Sequence, residues 1–248
     1  MSKVISISNH KGGVGKTTSA INIGAGLNRL GKKVLLIDMD PQANLSESLG
    51  VVDEERNIYG LLKGDYTMAP LEILKGLDII PSTIDLSGAE VELSGEANRM
   101  NILKRIVDPA RKSYDYIIID CPPSLGLLTI NSFVASDQVL IPLQAQYLAL
   151  KGMSKLIDVI DRIKETLNKD LKVGGVFITQ YDSRKVLNRE VFTSIHSQIK
   201  SRIFSTKIRD NIALAEAPTQ EVDIFRYNPK SFGAEDYLAL CNEIIKSK

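Results

Sequence analysis

A glycine-rich stretch at residues 8–18, SNHKGGVGKTT, follows the apolar run VISIS and precedes a helical pattern. Its three glycines are Gly12, Gly13 and Gly15. Glycines at such a junction let the backbone fold tightly and point successive N–H groups at an anion, next to the N-terminus of a helix. In a loop of this kind the Lys16 ammonium reaches the β- and γ-phosphates and the Thr17 hydroxyl binds Mg²⁺. The alternative, a plain connecting loop, gives no reason for GKTT after an apolar strand.

A second lysine, Lys11, precedes Lys16 by five residues, and His10 stands where the common phosphate-loop pattern requires glycine. Lys16 and the backbone already serve the phosphates within one subunit. A further cation is therefore useful across a dimer interface, on the nucleotide of a partner. An arginine finger makes a contact of this class, which is worth roughly 10³–10⁵ in rate. Without the γ-phosphate two facing cationic loops would repel each other, so dimerisation would depend on ATP. A solvated loop lysine is the alternative.

Carboxylates follow two of the apolar runs. The run LLIDMD ends with Asp38 and Asp40, which face the same way if the chain is extended, and YDYIIID ends with Asp120. The carboxyl ends of parallel strands border the ligand crevice of a sheet, where carboxylates can hold the waters of Mg²⁺ or orient an attacking water. We expect Asp120 to hold Mg²⁺ through a water. Helix or turn capping is the alternative for an aspartate at the end of a strand.

The composition of the chain is that of an ordinary globular protein with a sizeable core. It has 248 residues, of which 44% are hydrophobic and 25% charged, and its net charge is +1. The net charge therefore predicts neither nucleic-acid nor membrane binding. Cys121 and Cys241 have no metal-ligand spacing, and no apolar run approaches the roughly 18 residues of a spanning helix. We expect a cytoplasmic protein.

Short β-branched runs alternate with longer helical patterns along the chain, which predicts βαβ units and a parallel sheet. The predicted strands are 4–8, 33–38, 77–82, 114–120, 137–143, 173–181 and, at an edge, 202–208. The predicted helices are 17–30, 100–107, 127–135, 148–167, 190–200 and 234–246. Residues 51–76 are the least periodic and are expected to form an irregular insertion. With no repeat or linker, we predict one domain over residues 1–248, an α/β P-loop NTPase fold whose mostly parallel, twisted sheet has helices on both faces.

Positive charge is concentrated in residues 184–209. This segment contains Arg184, Lys185, Arg189, Lys200, Arg202, Lys207 and Arg209 against Glu190 alone. Its net charge is +6, so the rest of the chain carries −5. Such asymmetry is typical of a surface that binds a polyanion, although a solvated basic face is the alternative. Because no helix-turn-helix pair is evident, we expect phosphate contacts without readout of the bases.

The glycine-rich stretch KGGVGKTT resembles the deviant Walker A loop of the ParA/MinD group of P-loop ATPases. The segments TQYDSRK, EAPTQ and YNPKSFGAEDY are similar to the C-terminal half of short, Soj-type ParA proteins, so the resemblance covers nearly the whole chain outside 51–76. It implies that Lys11 enters the site of a partner subunit, and that Asp40 positions or activates the hydrolytic water with Asp38 near the metal. The implied nucleotide-binding residues are Lys11, Gly12, Gly13, Val14, Gly15, Lys16, Thr17, Thr18 and, beside the base, Asn211.

The resemblance also implies a function. Members of the family form ATP-dependent homodimers that bind double-stranded DNA non-specifically, coat the nucleoid and hydrolyse Mg²⁺-ATP weakly. A ParB-type centromere-binding protein, together with DNA, stimulates hydrolysis and release in chromosome or plasmid partition. The residues we expect to contact DNA are Arg184, Arg189, Lys200 and Arg202. In the loop beside the adenine base, this chain has Arg209 at the position where the family commonly has proline.

Three alternatives share this fold. One is a ParA-like protein that positions another cellular cargo. A second is a MinD-like membrane-associated regulator, which the acidic residues within the C-terminal pattern GAEDYLALCNEIIKSK oppose, because they suit a core-packing helix better than anionic lipid. A third is a metabolic enzyme related to dethiobiotin synthetase, which would leave Lys11 unexplained. Cluster-carrying relatives need paired cysteines that this chain lacks.

Overall fold

A computed structural model describes residues 2–52, 54–144, 149–185 and 201–247, with the backbone alone for 149–152. In this part of the chain, apolar runs form strands and the amphipathic segments between them form helices. The strands are β1 Lys3–Ile7, β2 Val34–Asp38, β3 Leu71–Leu74, β4 Leu77–Ile80, β5 Tyr116–Asp120, β6 Gln138–Gln144, β7 Lys172–Tyr181 and β8 Ile203–Arg209.

The helices connect consecutive strands or follow the last one. Those between strands are α1 Lys16–Arg29, α2 Asn44–Glu47, α3 Ile58–Lys63, α4 Leu86–Glu92, α5 Ile102–Ala110, α6 Leu127–Ala135 and α7 Ala149–Thr166. Those after β8 are α8 Ala213–Glu216, α9 Ile224–Tyr227 and α10 Phe232–Lys246. Short 3₁₀ turns occupy Leu93–Gly95, Arg99–Asn101 and Ala217–Gln220.

The described strands form one sheet in the order β3-β4-β2-β5-β1-β6-β7-β8. All neighbours are parallel except β3 and β4, which are antiparallel. The first strand lies in the middle, between β5 and β6, so the glycine-rich loop that follows it leaves the centre of the carboxyl edge of the sheet. This is the edge at which parallel α/β sheets bind ligands.

Alternate residues of the central strands enter two apolar layers, one on each face of the sheet. On one face Ile5 and Leu36 pack with α1 and α10, while on the other Leu35 and Ile119 pack with helices α3 to α7. Helix α1 lies close to the sheet at Gly24, where a Cβ would approach a methyl group of Leu36 to 2.5 Å. The predicted fold class, with helices on both faces, is confirmed.

The structure differs from the prediction over residues 51–76, which include helix α3 and strand β3. Lys75 and Gly76 join β3 to β4 as a two-residue hairpin, in which Gly76 adopts the left-handed φ of 80°. The short helix is stabilised at its start by the Asn57 side chain, which accepts hydrogen bonds from two backbone N–H groups. The helix predicted over 190–200 lies outside the described residues.

Candidate nucleotide-binding site

The glycine-rich loop occupies the turn between β1 and α1. Strand β1 ends at Ile7 and helix α1 begins at Lys16, so the loop points the first turn of the helix toward the carboxyl edge of the sheet. Gly13 and Gly15 have φ angles of 72° and 85°, a left-handed backbone that favours glycine. The loop thus has the conformation and the helix N-terminus that bind phosphate groups.

Side chains from the end of β7 hold the loop from behind. The Thr179 hydroxyl donates to the carbonyl of Val14 at 2.9 Å, and the Gln180 amide donates to the carbonyl of Gly13 at 2.8 Å. Gln144, at the end of β6, donates to the side-chain oxygen of Gln180. In a trans peptide the N–H points away from the C=O. Fixing these two carbonyls therefore directs the next N–H groups, those of Val14 and Gly15, to the opposite side.

The start of the loop is also anchored. The buried Asn9 amide donates to the carbonyl of Pro142 on β6 at 2.8 Å, and its side-chain oxygen accepts the N–H of Lys11 at 3.1 Å. The Lys16 side chain is 8% exposed and its ammonium donates to the carbonyl of Lys11 at 3.4 Å. Lys16 thus lies folded along the loop, where a phosphate group would offer it a stronger acceptor.

Two carboxylates meet beside the loop because their strands are neighbours. Asp38 on β2 is directly opposite Asp120 on β5, and Asp120 is also opposite Ile7, the last residue of β1. Both aspartates are fully buried. Asp38 is hydrogen-bonded through both oxygens: one accepts the N–H of Asp40 at 3.1 Å, and the other accepts the N–H and the hydroxyl of Ser46 at 3.0 and 2.7 Å. Asp38 thereby holds the loop that follows β2.

Asp120 has a different environment. Within the described residues, neither of its carboxylate oxygens has a hydrogen-bond partner. Burial raises the pKa of Asp120 well above its ordinary value, and the Asp38 carboxylate raises it further, while the Thr17 hydroxyl and the Lys16 ammonium lower it. Burial likewise raises the pKa of Asp38 to about 6. A buried carboxylate without a partner beside a second carboxylate fits a divalent cation, since carboxylate and hydroxyl oxygens are ligands that Mg²⁺ prefers.

The predicted water-positioning residue lies next to this pair. Asp40 is 7% exposed and follows β2 by two residues. Its Oδ1 accepts the N–H of Gln42 at 3.0 Å, and its own N–H donates to Asp38. These two bonds hold Asp40 at the carboxyl edge of the sheet, two residues beyond the end of β2.

A cleft of about 170 Å³ opens beside the glycine-rich loop and is lined by residues of the loop, of β7, of β8 and of the segment after β8. Gly15 and Thr18 line one wall, and Asn211 and Leu214 line another. The structure therefore brings Asn211 to the loop, as the sequence predicts for a residue beside the base. Arg209, which replaces the usual proline, also lines the cleft, but its guanidinium is paired with Asp236 at 2.6 Å and Glu235 at 2.7 Å.

Of the four predicted DNA contacts, the two that the structure describes lie at different levels of the sheet. Arg184 follows the carboxyl end of β7, whereas Arg202 precedes the amino end of β8, which is parallel to β7. Seven residues of β8, about 20 Å at 3.3 Å per residue, separate the two levels. Arg184 is bonded to Asp182 through two nitrogens, and Arg202 covers the ring of Phe204. Arg189 and Lys200 lie outside the described residues.

Several residues of the site were missed by the sequence analysis. Thr179 and Gln180 anchor the loop from β7, Ser46 anchors Asp38, and Asn9 anchors the loop to β6. The available signal was polarity at the end of an apolar strand, as in FITQ over 177–180 and in SN after VISI. The partners of these side chains lie up to 167 residues away in the sequence, so the signal alone does not identify them.

Three features define a P-loop nucleotide-binding protein. They are the left-handed glycine-rich loop after the central strand β1, the buried Lys16, and Asp120 on the adjacent strand β5, whose carboxylate has no hydrogen-bond partner within the described residues. A family model described as an AAA domain matches residues 2–173. The chain is 45% identical over 251 residues to the sporulation initiation inhibitor protein Soj of Bacillus subtilis, with 98% of each chain covered. It is also 45% identical over 249 residues to the chromosome partitioning protein ParA of Myxococcus xanthus, covering 98% of this chain and 88% of that one. The chain belongs to the Soj/ParA family of chromosome-partitioning ATPases.

A solved structure supports the same fold. It is the cobyrinic acid a,c-diamide synthase from Mycobacterium smegmatis with bound ADP and magnesium, 34% identical to this chain, with a TM-score of 0.88 and coverage of 99% of this chain and 95% of that one. In the described part of this chain, no helix is long and apolar enough to cross a membrane. The C-terminal helix α10 packs in the core through Tyr237, Leu240 and Ile244, as the sequence predicts.

Proposed function

We propose that this protein is an Mg²⁺-ATP-dependent dimer that binds DNA without sequence preference and acts in chromosome or plasmid partition with a ParB-type partner. Its intrinsic hydrolysis is weak and is stimulated by the partner and by DNA. The observation that carries the proposal is a complete phosphate site together with a further lysine, Lys11, at its mouth. Family membership supports the partition role. The proposal includes a location on the nucleoid within the cytoplasm.

The residues of the site divide the work of hydrolysis. The N–H groups directed inward by Thr179 and Gln180 hold the phosphates of ATP, and the Lys16 ammonium leaves the Lys11 carbonyl for a phosphate oxygen. Thr17 would bind Mg²⁺ and Asp120 would hold it through a water, with Asp38 near the metal orienting the loop that carries Asp40. Bound Mg²⁺ neutralises part of the phosphate charge. Asp40 orients the attacking water toward the terminal phosphate.

Lys11 supplies the ATP dependence of the dimer. In one subunit it lies at the outer side of the loop, and its N–H is fixed by Asn9 rather than by a phosphate. Two copies meeting loop to loop would bring two lysines into each interface. Only a nucleotide with its γ-phosphate carries enough negative charge to balance them, so ADP releases the dimer. Among the alternatives, a metabolic enzyme of this fold gives Lys11 no such role.

Another alternative function, positioning of a different cellular cargo, uses the same ATP switch and differs only in its partner. Membrane regulation as in MinD-like proteins has little support because helix α10 packs in the core through Tyr237, whose hydroxyl lies 2.9 Å from that of Ser19. Co-sedimentation with anionic liposomes, compared with a DNA gel shift under the same conditions, separates membrane from DNA binding.

DNA binding as a function of nucleotide and salt tests the proposal. A hydrolysis-blocked variant, Asp40→Ala, is titrated with a random duplex in Mg²⁺-ATP and in Mg²⁺-ADP from 50 to 200 mM salt. If a dimer neutralises about four phosphates, the log–log slope is near −3.6, so affinity falls roughly a hundredfold over this range. Binding that is equal with ADP and ATP, or that does not respond to salt, would contradict the mechanism.

A further inference from the structure

A second cavity lies at the amino edge of the sheet, on the side away from the nucleotide loop. It has a volume of about 530 Å³ and is lined by Ser2, Lys3, Arg111, Asp137, Gln138 and Lys172. Five of these residues lie at the starts of β1, β6 and β7, whose amino ends are adjacent because the strands are parallel neighbours, and Arg111 follows helix α5. The site described above lies at the opposite ends of the same strands.

Positive charge dominates the lining. Three of the six residues are cations and one is a carboxylate, which gives a net charge of +2. Asp137 accepts two hydrogen bonds from Arg111, of 2.8 and 2.9 Å, so the one carboxylate of the lining is paired with one of its three cations. Burial lowers the pKa of Lys3, the Lys172 ammonium and Arg202 lower it further, and Asp137 raises it. The lining therefore carries a net positive charge.

Two buried hydrogen-bond donors of this cavity have no acceptor in the described part of the chain. Gln138 is 5% exposed, and its amide nitrogen has no partner within the described residues; the Ser2 hydroxyl shares this property. An unsatisfied buried amide is destabilising, so such a group calls for an explanation. The Gln138 side chain fills space that Gly174 leaves, since a Cβ there would lie 2.7 Å from its Oε1. The neighbouring strand thus accommodates this particular side chain.

We propose that this cavity binds a phosphate group. Lys3 has three ammonium hydrogens, of which the carbonyl of Ser247 accepts one at 2.5 Å, and Gln138 and Ser2 add neutral donors. The Lys3 ammonium, the Gln138 N–H and the Ser2 hydroxyl can all donate, so a negatively charged ligand that accepts hydrogen bonds suits this lining. A phosphate has several acceptor oxygens and forms strong charge-assisted bonds with such donors. It can come from a small phosphorylated compound or from a nucleic-acid backbone, and this assignment does not depend on the nucleotide loop.

The test measures binding of inorganic pyrophosphate and of a random 30-bp duplex to protein saturated with Mg²⁺-ADP, which occupies the nucleotide loop. The variants are Gln138→Leu, which removes the amide and keeps every charge, and Lys3→Gln. Lys169→Gln is the matched control, because Lys169 is an exposed lysine near the start of β7 that does not line the cavity. Thermal unfolding of each variant checks that the fold is retained.

Both Gln138→Leu and Lys3→Gln should weaken pyrophosphate binding about tenfold, as expected for the loss of a bond to a charged ligand, whereas Lys169→Gln should stay within about twofold of the unmodified protein. If DNA affinity falls in parallel, and Lys3→Gln reduces the salt slope by about 0.9, the phosphate is that of the nucleic-acid backbone. If only pyrophosphate binding falls, the ligand is a small phosphorylated compound. Equal binding of both probes by Gln138→Leu and the control would overturn the assignment. Because both probes are measured on the ADP-bound protein, the result does not depend on ATP-dependent dimerisation.

Discussion

Replacing Thr179 with valine removes one hydroxyl from the back of the nucleotide loop and keeps the shape of the side chain. In the native protein this hydroxyl donates to the Val14 carbonyl at 2.9 Å, and both residues are at most 2% exposed. Thr179→Val leaves a buried carbonyl without its partner, which costs about 1–3 kcal/mol. We therefore expect the free energy of unfolding, measured with urea, to fall by that amount.

The same change should weaken nucleotide binding. The Val14 carbonyl is one end of the peptide unit whose N–H, on Gly15, faces the phosphate side of the loop. When the carbonyl is released, this unit can rotate, and binding must restore its orientation. If restoring this orientation costs about 1.4 kcal/mol of the binding free energy, the Kd for Mg²⁺-ADP rises tenfold in isothermal titration calorimetry.

Thr179→Ser is the matched control because it keeps the hydroxyl and removes only a methyl group. It should lose roughly 0.8 kcal/mol of stability, the contribution of one buried carbon, with ADP affinity close to that of the native protein. The two variants thus separate packing from loop orientation. The reasoning is refuted if Thr179→Val binds ADP as tightly as Thr179→Ser does.

Two further changes test the carboxylates. Asp120→Asn removes a buried charge that has no hydrogen-bond partner within the described residues, so the ligand-free protein should gain about 1–4 kcal/mol of stability, while the increase in Tm that Mg²⁺ adds to ADP should disappear. Retention of the full Mg²⁺-dependent increase would show that the metal is held elsewhere. Asp40→Ala should keep ATP affinity and lose hydrolysis by roughly 10²–10³, measured as phosphate release. Normal turnover by this variant would exclude Asp40 from the chemistry.

The sequence predicts the centre of the fold well because its signals are local. Strands β2 and β5 are apolar up to a terminal aspartate at the ligand edge, as strands covered on both faces should be, and β1 is mostly apolar. Asp38 and Asp120 could be assigned to one site without knowing their register, since parallel strands end on the same side. The glycine-rich loop carries its own conformational signal.

The edge strand β3 was missed for a physical reason. Its four residues, LEIL, are only partly buried, so they show neither the continuous apolar run of a central strand nor a long alternation. The pairing of β3 with β4 depends on the Lys75–Gly76 turn. In this turn Gly76 adopts a φ of 80°, which lets the chain reverse direction. A two-residue turn containing glycine is a hairpin signal, and here it would have been the only usable one.

The net charge of residues 184–209 does not show where its basic side chains lie in the fold. Arg184 and Arg202 are 18 positions apart, and the parallel crossover between β7 and β8 separates them to different levels of the sheet. Arg209 is neutralised by Glu235 and Asp236, carboxylates of α10 that no local window includes. The net charge of a segment therefore does not locate a binding surface, which depends on where the strands end.

The central claim is that the γ-phosphate allows two cationic loops to meet. Sedimentation velocity of the Asp40→Ala protein in Mg²⁺-ATP and in Mg²⁺-ADP measures this directly. We predict a dimer in ATP, a monomer in ADP, and a monomer in both when Lys11→Gln is added, although that double variant should still bind ATP through Lys16. A monomer in saturating ATP at high protein concentration, or an equal dimer in ADP, would contradict the account.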